Sequence, residues 1–143
     1  ALMSKFHGSL DKSKHWVVKL WGDGSPKREF LHVDDLAEAS IFALEKYEVL
    51  ITKDKLKDQK EFLNVGTGND ISIKDLAKII AEKIGFKGKI IWDKSKHDGT
   101  PRKLLDVTRI NKLGWHASIS LERGIEETIK SYIYEKENNL LRF

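Results

Sequence analysis

The 143-residue chain has no cysteine, only two prolines and a single methionine. Without thiols there can be no disulfide framework, thiolate nucleophile or cysteine metal site. That fits a reducing compartment, so a cytoplasmic setting is expected. Long apolar runs are also missing, and none approaches the length of a membrane-spanning helix. The opening "ALMSKF" lacks the charged start and apolar stretch of a secretory leader, and none is expected. The five histidines, at 7, 15, 32, 97 and 116, are too scattered for metal-ligand spacing. No metal is expected, and no Ser-His-Asp set can be assembled.

What is present is a soluble pattern, 40% hydrophobic and 34% charged. That is enough for one domain with a real core over residues 1–143. The net charge of +4 suits anionic ligands. Nucleic acid is not expected, because the lysines are not interleaved with exposed aromatics as a single-strand platform requires. The chain starts at Ala1 without an initiator methionine, so a fragment or a processed product is expected.

Strand and helix patterns alternate. "ALMSKF" reads as the tail of a helix stopped by Gly8. "HWVVKLW" reads as a strand, "GDGSP" as a tight turn and "REFLHV" as a second extended segment, the two making a hairpin. Asp35 and Glu38 have the form of a capping box. The helix they introduce, within residues 33–47, is apolar on nearly every side, which implies burial on more than one face. "ITKDKLKDQKE" reads as a charged loop and "FLNV" as a short strand. Ser72 and Asp75 form another capping box, ahead of the stripe Ile73, Leu76, Ala77, Ile80 and Ile84 that Gly85 ends. "KIIW" is a strand and "DKSKHDGTPRK" a polar loop. Asp106 and Gly114 bound a short helix. Ser120 caps a last helix with the stripe Leu121, Ile125, Thr128, Ile129 and Tyr132. The fold class is α/β, a small mixed sheet with flanking helices.

Several motifs suggest chemistry. "NVGTGND" places Gly-x-Gly between a strand and a helix, as a dinucleotide loop would. The third glycine of that fingerprint would fall at Ile71, however, so a strand-to-helix turn is expected instead. Tyr132 and Lys136 have the Tyr-x-x-x-Lys spacing of a dehydrogenase pair, but Tyr132 sits in an apolar stripe and reads as packing. His32 reads as a hydrogen-bonded core histidine. Arg28 and Arg102 each follow a Gly/Pro loop, where a guanidinium fork can grip phosphate, and Trp21 offers a flat face beside them. Pairing of Arg28 with Glu29 or Asp35 as a surface ion pair fits the spacing equally well.

The stretch "WGDGSPKREFLHVDDLAEA" resembles the sugar-nucleotide branch of the extended short-chain dehydrogenase/reductase (NAD-dependent epimerase/dehydratase) family. There a G-x-G-x-x-x-R-[DE]-[FY]-[IL]-[HY]-V-x-D segment links the substrate domain back to the nucleotide-binding domain. "FLNVGTGNDISIKDLA", "DGTPRKLLDVTRINKLGW" and "ISLERGIEETIKSYI" follow in the family's order. "DGTPRKLLD" resembles more narrowly the branch that turns GDP-4-keto-6-deoxy-D-mannose into GDP-L-fucose, an NADPH-dependent epimerase-reductase. The resemblance covers Ala1 to about Tyr134.

It implies a C-terminal substrate-binding portion with the Rossmann core absent. NADPH would be bound by a missing N-terminal domain, which would also hold the catalytic residues. This chain would therefore carry no catalytic, cofactor-binding or metal-binding residue and would be inactive alone. By position, Lys5, Trp21, Arg28 and Arg102 match the family's substrate-binding residues: the two arginines for the pyrophosphate, Trp21 lining the nucleotide pocket, and Lys5 where arginine is common. Asp98 and Lys103 would orient the arginine loop. The implied partners are a GDP-sugar, the missing Rossmann domain, which the 33–47 helix would meet, and a second copy in the homodimeric parent, with no membrane. A parent using a UDP, dTDP or CDP sugar is the first alternative, and a non-enzymatic basic interaction module the second.

Overall fold

The computed structural model describes residues 2–10, 17–46 and 62–141. The charged segment 51–61, together with His15, Trp16 and Tyr47, lies outside them. The elements, in chain order, are α1 (Leu2–Leu10), β1 (Val17–Trp21), β2 (Lys27–Glu29), α2 (Val33–Glu45), β3 (Asp70–Ser72), α3 (Ile73–Lys83), β4 (Lys89–Asp93), β5 (Arg102–Lys103), α4 (Thr108–Leu113) and α5 (Leu121–Glu137). The class is α/β, with two small sheets and helices packed on them.

Alternation along β1 sends Val18 and Leu20 inward and leaves Lys19 and Trp21 outward. β1 pairs in parallel with β4, from Val17 opposite Lys89 to Trp21 opposite Asp93. The inward face packs on Phe6 of α1, on Leu76 and Ile80 of α3, and on Ile125 and Ile129 of α5. Phe6 meets Phe86 edge to face at 5.2 Å. α1 runs through Gly8 instead of stopping there. Burial of Phe6 against this core favours the helix by more than the roughly 1 kcal/mol that a mid-helix glycine costs.

The second sheet has the order β3-β2-β5, with β2 antiparallel to β3 and parallel to β5. β1 and β2 therefore do not form the expected hairpin. The "GDGSP" turn carries the chain from one sheet to the other, with Gly22 and Gly24 at φ +73° and +79°. "FLNV" is not a strand in this structure. Leu63 and Val65 pack instead on a second core made by Ala39, Val107, Ile110 and Trp115.

Ser72 caps α3 as expected, accepting the Asp75 N–H at 3.0 Å. Ser120 caps α5 by accepting from Arg123. The Asp35–Glu38 capping box does not form. α2 begins at Val33 with His32 as its cap, the imidazole Nδ1 accepting the Asp34 N–H at 3.3 Å. Asp35 is 1% exposed and points the other way. Its carboxylate accepts the Ile119 N–H at 3.0 Å, the Ser118 N–H at 3.2 Å and the Ser118 hydroxyl at 2.9 Å. Burial opposes its ionisation, but these hydrogen bonds outweigh burial and hold the carboxyl below its ordinary value. α2 buries Asp35 and Ala39 on one side. Away from that face Val33, Leu36, Ile41 and Leu44 are 47–77% exposed.

Candidate nucleotide site

The turn after β1 and the loop after β4 are built as one piece. The Gly22 N–H donates to the Asp93 carbonyl at 3.0 Å and the Lys27 N–H to the Pro101 carbonyl at 2.8 Å. Between them the Asp98 carboxylate accepts the Asp23 N–H at 3.1 and 3.3 Å. The approach is close: a Cβ on Gly22 would lie 1.9 Å from Asp98 Oδ1, and one on Gly24 would lie 2.5 Å from the Trp92 ring. Asp93 anchors the root of the loop. A hydrogen bond from the Ser95 hydroxyl, then one from Lys19, lowers its pKa to about 2. Asp98 thus ties the loop to the turn after Trp21.

Trp21 ends β1 on the outer face and is 68% exposed. Lys5, reaching from α1, donates to the Lys19 carbonyl at 3.3 Å and brings its ammonium 5.8 Å from the indole centroid. Lys96, from the loop after β4, lies 5.9 Å from the same centroid. The family resemblance named Lys5 and Trp21 but passed over Lys96. Its only signal was membership of the polar loop that ends in Arg102.

Arg28 is half-buried, and its Nη1 donates to the Lys27 carbonyl at 2.6 Å. A Cβ on Gly99 would lie 3.1 Å from Arg28 Nη2, so the loop that carries Lys96 also borders this guanidinium. Among the described residues Arg28 pairs with neither Glu29 nor Asp35. Arg102 is not brought beside it. The register sets Arg28 opposite Ile71 and Lys103, and Arg102 opposite Lys27. Strand alternation therefore puts the two arginines on opposite faces of the sheet. Arg102 bonds the Asp70 carboxylate through Nε.

Glu29 is a second missed residue. Its carboxylate accepts the Gly68 N–H at 2.6 Å, the Thr67 hydroxyl at 3.3 Å and the Leu105 N–H at 3.2 Å. It thereby ties the "VGTG" turn and the segment after β5 to the strand of Arg28. This also disposes of the dinucleotide-loop reading. The carboxylate already takes the Gly68 N–H, and a Cβ on Gly66 would lie 2.5 Å from its Oε1. A second anion does not fit there.

Tyr132 and Lys136 are packing groups: Tyr132 stands edge-on to His7 at 5.5 Å, and Lys136 Nζ meets His7 Nδ1 at 3.1 Å. Among the described residues no cluster of His, Asp and Glu could hold a metal ion, and no helix is long and apolar enough to cross a membrane. A cavity of about 430 Å³ opens elsewhere, between Phe30, Asn69, Asp70 and the Ser118–Leu121 segment. None of Lys5, Trp21, Arg28 or Arg102 lines it.

Residues 1–66 match the model of the NAD dependent epimerase/dehydratase family. A probable GDP-L-fucose synthase of Oryza sativa subsp. japonica is 46% identical over 133 residues, which are 93% of this chain and 37% of that protein. The GDP-L-fucose synthase of Escherichia coli K12 is 46% identical over 138 residues, 96% of this chain and 42% of that protein. The chain therefore spans about two fifths of the length of the curated relatives it matches. Among solved structures, the NADP-bound GDP-mannoheptose C4 reductase of Campylobacter jejuni superposes with a TM-score of 0.73 at 33% identity, over 92% of this chain and 43% of that one. Through its first 66 residues the chain matches the NAD dependent epimerase/dehydratase family, and along nearly all of its length it is homologous to a part of the GDP-L-fucose synthases.

Proposed function

We propose that this chain is the GDP-sugar-binding, C-terminal portion of an NADPH-dependent epimerase-reductase that converts GDP-4-keto-6-deoxy-D-mannose to GDP-L-fucose. The observation that carries the proposal is the exposed Trp21 indole with the Lys5 ammonium beside it, on a turn bound to the loop that borders Arg28. Trp21 is suited to line the nucleotide pocket, and Arg28 to hold the pyrophosphate by charge-assisted hydrogen bonds. Arg102 contributes from the far side of β2. Its Nε stays on Asp70, and its terminal nitrogens remain to turn toward phosphate. Lys5, a compact charge without the guanidinium fork, makes a looser contact.

NADPH and the residues that move protons at C3 and C5 belong to the part of the protein outside this chain. The Gly66–Gly68 turn is filled by Glu29 and does not fit a dinucleotide. This portion supplies binding energy and orientation and is inactive alone. The apolar outer side of α2 docks on that other part, and the whole enzyme is a cytoplasmic homodimer. The similarity to a GDP-mannoheptose C4 reductase favours a second reading, in which the nucleotide is the same but the sugar is another 4-keto hexose or heptose. Calorimetric titration of the chain with GDP, UDP, CDP and dTDP tests the nucleotide assignment. GDP is expected to bind tightest, and equal affinity for all four would refute it.

A further inference from the structure

Among the described residues, Lys19 pairs with Asp93, Lys78 with Asp75, Lys83 with Glu126, Arg102 with Asp70 and Arg123 with Glu127. Lys5 and Lys96 are not among them. Yet these two come from segments far apart in sequence, α1 and the loop after β4, and approach one exposed indole to 5.8 and 5.9 Å. Two like charges converging on one aromatic repel each other, and the ring offsets only part of that. An anion between them would remove the repulsion.

The loop is not a loose arm. The Lys96 N–H donates to the Asp93 carbonyl at 3.1 Å, and two residues later Asp98 grips the Asp23 N–H. The residue after that, Gly99, lies against Arg28. The backbone on both sides of Lys96 is thus fixed to the turn that follows Trp21, and the same loop reaches from the indole to the guanidinium.

We infer that Lys96 is a ligand-binding residue, which takes an anionic phosphate oxygen of a nucleoside diphosphate whose base lies along Trp21. Resting on the nucleotide reading above, this gives the site a third wall. Trp21 serves the base, Arg28 takes one phosphate, and Lys5 and Lys96 bring their charges to the anion beside the indole. The loop after β4 then serves as a binding element in its own right and does more than carry Arg102 into position. A lysine here acts as a point charge, so its contribution is sensitive to salt and blind to the base.

The test is calorimetric titration of the chain and its Lys96→Ala, Lys96→Arg and Arg28→Ala variants with GDP and with guanosine, at low and at moderate ionic strength. The expected result is an about tenfold loss of GDP affinity in Lys96→Ala, the scale of one charge-assisted hydrogen bond. Guanosine affinity is unchanged, the salt dependence is shallower than in the wild type, and Lys96→Arg recovers most of the loss. GDP affinity of Lys96→Ala within twofold of wild type, with Arg28→Ala weakened, overturns the role of Lys96 and leaves the nucleotide reading standing. Absence of GDP binding by the wild-type chain at millimolar concentration overturns both.

Discussion

Replacing Asp35 by alanine tests the feature on which sequence and structure differ most sharply. The carboxylate is 1% exposed and accepts three hydrogen bonds from Ser118 and Ile119. Hydrogen bonds to a charged acceptor contribute about 1.5–3 kcal/mol each. The three are not additive. Alanine removes the desolvation cost of the charge as well as its bonds, and Ser118 is exposed, so water reaches part of what is left. The expected loss is therefore about 2–4 kcal/mol, well below the sum of the three. With a slope of about 1.5 kcal/mol per molar urea, the unfolding midpoint falls by about 1–3 M. Glu38 is exposed and takes no part in the cap. Glu38→Ala should therefore stay within about 0.5 kcal/mol of wild type. Urea titrations followed by far-ultraviolet circular dichroism read both variants. A loss below about 1 kcal/mol for Asp35→Ala, or an equal loss for Glu38→Ala, would refute the reasoning and restore the capping box.

Acid should weaken the fold through the same group and through Asp93. Both carboxyls are depressed in the folded state, so the stability they contribute is present above the unfolded value near 4 and is lost as pH falls toward the folded values, about 2 for Asp93. The urea midpoint should drop between about pH 4 and 2, and Asp93→Asn should flatten that drop; an unchanged profile would count against the Ser95 and Lys19 contacts. The outer side of α2 makes a separate prediction. The chain should self-associate at high concentration, and a Leu36→Lys, Leu44→Lys variant should be monomeric by light scattering with its unfolding free energy within about 0.5 kcal/mol of wild type. A wild-type chain that is cleanly monomeric at high concentration would contradict the docking role.

Much of the local structure was legible because it rests on short-range chemistry. Ser72 and Ser120 cap the helices they precede, Gly85 and Gly114 end theirs in the left-handed region, and Leu76, Ala77 and Ile80 face the core. What was not legible depends on partners distant in sequence. Asp35 carries the local signature of a cap, but Ser118 and Ile119, more than eighty residues away, capture its carboxylate. "GDGSP" has the residues of a hairpin turn, yet β1 finds β4 and β2 finds β3 and β5. In the candidate site, the family resemblance named Trp21 and Lys5, and the structure sets the Lys5 ammonium beside the Trp21 indole. The placement of Arg102 opposite to Arg28 follows from a register that no local pattern encodes. Glu29 and Lys96 escaped because a glutamate in a strand and a lysine in a charged loop look like solvated residues until the fold brings Gly68, Leu105 and Trp21 to them.

The account stands on nucleotide recognition by this chain, and calorimetric titration of GDP into the wild type and into an Arg28→Ala, Arg102→Ala variant measures it most directly. With Arg28 contributing at least one charge-assisted bond to the pyrophosphate, and Arg102 adding to it by turning its terminal nitrogens round from the other face, the double variant should lose affinity by about tenfold or more. GDP binding undiminished in that variant would contradict the assignment of both arginines.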